Sequence, residues 1–261
     1  NAIVGTSKIG TPNTFLCTQK MYGDFILELE VLVAPGLNSG IQFRSNSMKE
    51  FKNGRVQGYQ SELDTSKRAW SAGIFDEARR GWLYPLTINT KGSAAFNNGG
   101  WNKVRIEAIG NTIKTFLNGV QCANLVDDMT DKGFIALQVH SIRDKSQEGK
   151  TIQWKNIRIV TENLEQHRSK NQPHARQVSY LNNTLTQEEI RKGWRLLWDG
   201  KTSKGWKGAK SDNFPKNGIK MVDGTIHFLT HEETKDSIKS GDIITEEKYD
   251  NSQFESDVLC K

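Results

Sequence analysis

Two carboxylates stand two residues apart in the stretch Gly58-Tyr59-Gln60-Ser61-Glu62-Leu63-Asp64. Side chains alternate along an extended chain. Read as a strand, the stretch therefore turns Gln60, Glu62 and Asp64 to one face and Tyr59, Ser61 and Leu63 to the other. Residues two apart on a strand have Cα atoms roughly 6.5 Å apart. Retaining glycosidases hold their two carboxyl groups about 5–5.5 Å apart, and inverting enzymes hold them further apart. The spacing permits a retaining pair without selecting one. A solvated strand face, or a salt bridge to Arg44, fits the same residues.

Other strands offer partners. In "SGIQFRS" (39–45), Ile41 and Phe43 belong in a core, which turns Gln42 and Arg44 outward. In "GFIALQVHS" (133–141), Ile135, Leu137 and Val139 point inward, which turns Gln138 and His140 outward. Three strands then present polar groups that can converge on one concave sheet face. Gln, Arg, Glu and Asp supply the paired donors and acceptors that sugar hydroxyls need. Trp82, Tyr84 or Trp70 would supply a flat apolar surface for a pyranose ring. "DEARRGWLYP" (76–85) reads as a loop, so Arg79, Arg80 and Trp82 are expected to overhang the groove. His140 and Glu62 are the candidate bases near neutral pH. A structural histidine and solvated arginines are the alternative readings. "HFLTH" (227–231) puts His227 and His231 on one strand face without a third ligand, and "DGKT" (199–202) lacks the first glycine of a phosphate loop.

The elements that must position these residues are strands. "DFILELEVLV", "WNKVRIEAIG" and "TIQWKNIRIV" are rich in β-formers, and "TIKTFLNGVQCANL" reads as a hairpin turning at Asn118-Gly119. No stretch of residues 1–160 sustains a helical period, so an antiparallel sandwich is expected there. Residues 161–185 are polar, carry Pro173 and read as a linker. Residues 186–261 begin with a short helix, because Thr186 and Glu189 fit a capping box. "EEKYDNSQFESDVL" (246–259) then lines up with "QKMYGDFILELEVL" (19–32), as expected for the opening part of a second copy of the module.

The 261 residues carry 36 Lys and Arg against 30 Asp and Glu, a formal charge of +6 that is read as a solvated surface rather than a nucleic-acid signature. Mean hydropathy is −0.63, and no run is long and apolar enough to span a bilayer. Cys17, Cys122 and Cys260 form no Cys-x-x-Cys pair, which argues against a disulfide framework or a structural zinc. The chain opens on "NAIVGTS" and is expected to be a processed or excerpted piece.

"GWRLLWDGKTSKGWKG", "YGDFILELEV", "GLNSGIQFRS", "GYQSELD", "RRGWLYP", "GGWNKVRIEAIGNTIKTFLNGV" and "GFIALQVHS" with "IQWKNIRI" occur together. As a set they resemble the 3-keto-disaccharide hydrolase family. The resemblance implies an all-β, concanavalin-like jelly-roll sandwich of two antiparallel sheets. It also implies a bacterial, periplasmic or secreted protein acting on a di- or oligosaccharide, often one oxidised at C3. Glu62 and Asp64 are similar to the Glu-x-Asp strand motif of jelly-roll glucanases, but Lys67 stands where those have a further Glu. A 3-keto sugar offers another route. Its ketone acidifies the C2 hydrogen, so a base can remove it and expel the C1 substituent, with Arg44 or a divalent metal as electrophile. Residues 1–160 are thus expected to form a glycoside hydrolase. A lectin-like binding module, and a protein-binding sandwich of the laminin type, are the competing classes.

Overall fold

The computed structural model describes residues 1–229, 241–256 and 258. They form two compact units, Asn1–Leu181 with Thr186–Glu188, and Asn182–Leu185 with Glu189–Lys261. The first unit holds thirteen strands: β1 (Ile3–Thr6), β2 (Thr14–Cys17), β3 (Phe25–Val33), β4 (Asn38–Asn46), β5 (Gln57–Asp64), β6 (Ile74–Glu77), β7 (Gly81–Tyr84), β8 (Asn102–Ile109), β9 (Thr112–Leu117), β10 (Val120–Val126), β11 (Phe134–Val139), β12 (Thr151–Val160) and β13 (Val178–Ser179). They make a seven-stranded sheet, in the order β1-β12-β3-β8-β9-β10-β13, and a six-stranded sheet, in the order β2-β11-β4-β5-β6-β7. All pairings are antiparallel except β10 with β13. This is the all-β jelly-roll sandwich expected.

Alternation builds the core between the sheets. Phe25, Leu27, Leu29, Val31 and Val33 of β3 meet Ile41 and Phe43 of β4 and Tyr59 and Leu63 of β5, all buried. Each large apolar side chain buried there contributes about 1.5–3 kcal/mol. Ile135, Leu137 and Trp154 are buried as expected, whereas Trp101, Trp194 and Trp198 are only half-buried. Asn118 and Gly119 both have positive φ, 51° and 82°, and turn the β9–β10 hairpin tightly.

Two bulges break the alternation and move two expected site residues. The β4–β5 register shifts between Phe43 and Asn46, and Arg44 takes a φ of 45°. Arg44 therefore does not accompany Gln42. It is buried, and it donates to the Gly23 and Gly110 carbonyls and to Asp24. Gly133 packs on this bulge so closely that a Cβ would stand 2.3 Å from the Arg44 carbonyl carbon. The β6–β7 register shifts between Ile74 and Phe75, so Trp82 pairs with Phe75 while Tyr84 pairs with Ile74. Tyr84 is consequently a core residue, its hydroxyl bonded to the Arg176 carbonyl, and not a sugar platform.

Arg79 and Arg80 do not overhang the groove either. Asp76 pairs with Tyr59 in register, which places it on the core side of the sheet. Arg79 Nε donates to Asp76 at 2.7 Å, with its guanidinium against the Tyr59 ring. Arg80 bridges Asp76 at 2.7 Å and Asp127 at 2.8 Å, and the Tyr59 hydroxyl donates to Asp127. Buried carboxylates draw these arginines away from solvent.

Residues 161–181 of the segment read as a linker belong to the first unit. Past a short helix (Leu164–His167), Gln172 exchanges hydrogen bonds with Gln121, and Tyr180 donates to the Leu83 carbonyl. A helix over Gln187–Arg191 follows Thr186. In the second unit, β14 (Trp206–Gly208) pairs with β17 (Ile243–Thr245), and β15 (Ile219–Val222) pairs with β16 (Thr225–Phe228). Residues 246–256 carry no strand, although the residues aligned with them in sequence enter β3. His227 is exposed on β16, while His231 and Cys260 lie outside the described residues.

Burial alone would raise the Asp127 carboxyl, but the bonds from Arg80 and Tyr59 outweigh it and hold the group below its usual range. Its contribution to stability is therefore present above the unfolded value of about 3.9 and lost as pH falls through the lower folded value. Arg80→Met should cost about 3 kcal/mol by leaving two buried carboxylates short of a cation. Urea unfolding should show a lower midpoint at unchanged slope. The same variant should lose less further stability than the wild type below about pH 4.

Candidate functional site

Three rows of side chains face away from the core on the six-stranded sheet. Ala136, Gln42, Gln60, Phe75 and Trp82 form one row; Gln138, Gly40 and Glu62 form the next; Asn38 and Asp64 form the third. His140 follows the last residue of β11, at the end of the third row. The face is polar but closely packed: Gln42, Gln60, Glu62, Asp64 and Gln138 are all buried.

Burial obliges these groups to satisfy one another. Ser45, brought round by the bulge, donates to Gln42 Oε1 at 2.8 Å, and Gln42 Nε2 donates to Gln60 Oε1 at 2.7 Å. Gln60 Nε2 then donates to Glu62 Oε2 at 2.8 Å. Gly40 makes this relay possible, since a Cβ there would stand 2.3 Å from Gln60 Cδ. The other Glu62 oxygen accepts from Asn38 Nδ2 at 2.5 Å and Arg68 Nη2 at 3.2 Å. Arg68 Nε also donates to Asp64 Oδ2 at 2.7 Å, while the Ser66 amide donates to Asp64 Oδ1 at 2.9 Å.

The two carboxyls sit in different environments. Burial, aided by the Asp64 charge, pushes Glu62 above its usual range despite the bonds from Asn38, Gln60 and Arg68. Burial would raise Asp64 too, but the bonds from Ser66 and Arg68 prevail and hold it low. Neighbouring carboxyls pushed apart in this way suit two roles, one exchanging protons and one remaining charged.

Above them lie the aromatics. The Trp70 and Trp82 rings meet nearly edge to face, 4.7 Å apart, and Phe75 packs 5.2 Å from Trp82. The Arg68 guanidinium lies 5.0 Å from the Trp70 ring and 4.9 Å from the Trp82 ring. Its side chain is 40% exposed, against 5% for Glu62, so Arg68 is the outermost charged group of the cluster. Gln138 stands in the Glu62 row with neither amide atom bonded among the described residues. His140 is half-buried, with Nδ1 2.7 Å from the Ser141 carbonyl. A carbonyl only accepts, so Nδ1 is the donor in that contact. Among the described residues no group of three or more His, Cys, Asp and Glu is arranged to hold a metal ion.

The model of the 3-keto-alpha-glucoside-1,2-lyase-like domain matches residues 1–160 and 193–261. The chain belongs to that family. No curated protein matches the chain. Among solved structures, the carbohydrate binding module CBM66 from Bacillus subtilis is 15% identical, with 62% of this chain and 92% of that chain covered and a TM-score of 0.42. A Bacillus subtilis protein of unknown function with a galectin-like fold is 9% identical, at 56% and 76% coverage and a TM-score of 0.42. The galectin LEC-6 of Caenorhabditis elegans is 12% identical, at 60% and 96% coverage and a TM-score of 0.37.

In this lyase-like domain the sequence reading and the structure meet at Gln42, Gln60, Glu62, Asp64, Trp82 and Gln138, which share one sheet face. Arg44, Tyr84, Arg79 and Arg80 lie elsewhere. Arg68 and Asn38 were missed. Asn38 is marked by register alone, two residues before Gly40 and opposite Asp64. Arg68 is in the loop after β5, where no alternation indicates a direction.

The opposing environments can be measured directly. In a carboxyl-carbon NMR titration, Glu62 should titrate above and Asp64 below the ordinary range. Arg68→Met should move both upward, because it removes the cation that favours both charged forms.

Proposed function

We propose that the first unit is a glycoside-cleaving domain acting on a di- or oligosaccharide, with 3-keto glucosides as its substrate class. The observation that carries this reading is the Glu62–Arg68–Asp64 cluster set beneath two tryptophans. It joins a carboxyl that burial pushes above its usual range, a fixed countercharge and a ring platform on one sheet face. The family's description, a lyase acting across C1 and C2 of a 3-keto glucoside, agrees with that chemistry.

In this reading Trp82 and Trp70 stack against the sugar, and Glu62 takes the C2 proton, made acidic by the C3 ketone. The electron pair of the C2–H bond forms the enolate. That enolate expels the C1 oxygen with its bonding pair, and the departing alkoxide takes up a proton. Water then adds at C1 of the enone, C2 regains a proton, and the sum is hydrolysis. The electrophile facing the enolate oxygen is Arg68 in place of Arg44, because Arg68 Nη1 has no hydrogen bond among the described residues and the side chain reaches solvent. Asp64 stays ionised and holds that guanidinium in place. His140 is the second proton carrier.

A lectin-like reading is favoured by one observation: both Glu62 oxygens already accept hydrogen bonds, and the residue is 4% exposed. The two readings part in one experiment. Glu62→Gln should lower kcat on a 3-keto glucoside by about 10²–10⁴-fold, the usual contribution of a general base, with little change in sugar binding. Trp82→Ala should weaken binding several-fold. If the wild type turns over neither oxidised nor ordinary disaccharides, yet binds them through Trp82, the lectin reading holds instead.

A further inference from the structure

The opposite face of the molecule carries a feature that the chemistry above does not use. A trough of about 960 Å³ lies on the outer side of the seven-stranded sheet, bounded by residues 169–173 of the segment that crosses it. Its floor comes from β3, β8, β9 and β12. Glu28 accepts from Arg105 at 2.6 Å and from Arg158 at 2.7 Å, and Asn156 donates to Glu30 at 2.7 Å. Those pairs hold the floor rigid. Phe116 lies among them, and Ile157 and Pro173 add apolar surface at the sides.

The charges do not balance. Lys103, Arg105, Arg158 and Lys170 line the trough with Glu28 and Glu30, and Glu107 beside it pairs with Arg105, so four cations stand against three carboxylates. The ammonium groups of Lys103, on the sheet, and Lys170, on the crossing segment, are both exposed, and neither makes a hydrogen bond or ion pair among the described residues. Beside the trough, burial and the nearby Arg168 charge push the Lys114 ammonium below its usual range. A surplus of positive charge along a long open groove draws an anion. Amide and hydroxyl groups at Asn171 and Ser169 add hydrogen-bonding partners for a hydroxylated chain.

We propose that this trough is a second binding site, for an oligosaccharide bearing carboxylate or sulfate groups. Lys103 and Lys170 hold the anionic groups from either side, while the neutral rings lie along the floor. The site is separate from the Glu62 face, since its residues lie on the other sheet.

The test uses the full chain and calorimetric titration with three oligosaccharides of matched length: a uronate oligomer, a sulfated oligomer and a neutral one. At least one acidic oligomer should bind with amide NMR shifts centred on Lys103, Phe116 and Lys170, and the neutral oligomer should not produce those shifts. The double variant Lys103→Glu/Lys170→Glu should weaken that binding roughly tenfold, as expected for two surface ion pairs reversed. Lys49→Glu/Lys91→Glu, the same charge change at exposed positions outside the trough, should leave it unaltered. Trp82→Ala should also leave it unaltered, so failure of the Glu62 reading and failure of this one give different results. Absence of acidic-oligomer binding at millimolar concentration, equal loss in the two charge-reversed pairs, or tighter binding of single-stranded DNA at the same residues would overturn the proposal.

Discussion

The outer face of the six-stranded sheet depends on one constraint: Gln42, Gln60, Glu62 and Asp64, which the core expels, are nevertheless buried, and so need hydrogen-bond partners there. Gln42, Gln60 and Glu62 meet it with a one-way series of hydrogen bonds that begins at Ser45 and ends on a carboxylate. Each amide can point only one way in such a series, so the orientation of Glu62 follows from the bulge further along the same β4–β5 pairing. Gly40 supplies the room for it, and Asn38 and Arg68 complete the shell on the other oxygen. A buried carboxyl held this firmly loses little freedom when a ligand arrives. Its desolvation raises its affinity for a proton.

Arg68 gives the cluster its asymmetry. The same guanidinium touches both carboxyls, but its bond to Asp64 is the shorter, and Asp64 also accepts from the Ser66 amide. Asp64 is thereby committed to the charged state, while burial leaves Glu62 as the group that can give or take a proton. The two tryptophans against Arg68 restrict where it can move, tying the ring platform to the charges beneath it.

Much of this was legible in the sequence because period-two alternation is a strong signal. Once Ile41, Phe43, Tyr59 and Leu63 are assigned to a core, the outward direction of Gln42, Gln60, Glu62 and Asp64 follows. The misplacements share a physical cause. At Arg44 and Tyr84 a bulge inserts one residue, and a shift of one residue changes the face of a side chain. Nothing local marks either bulge; Arg44 is held by Gly110, 66 residues away. Arg79 and Arg80 read as a charged loop, but their direction is set by buried Asp76 and Asp127, and Asp127 lies 47 residues beyond Arg80. Arg68 was overlooked for the complementary reason: a loop residue has no period, and its role appears only when β5 and the tryptophans are placed around it.

The central claim, that Glu62 is a base removing a proton from C2, is tested most directly by turnover of a 3-keto glucoside in deuterium oxide. The account predicts a released keto sugar carrying deuterium at C2, with that label and the turnover both lost in Glu62→Gln. A product formed at the normal rate with its original C2 hydrogen retained would contradict it.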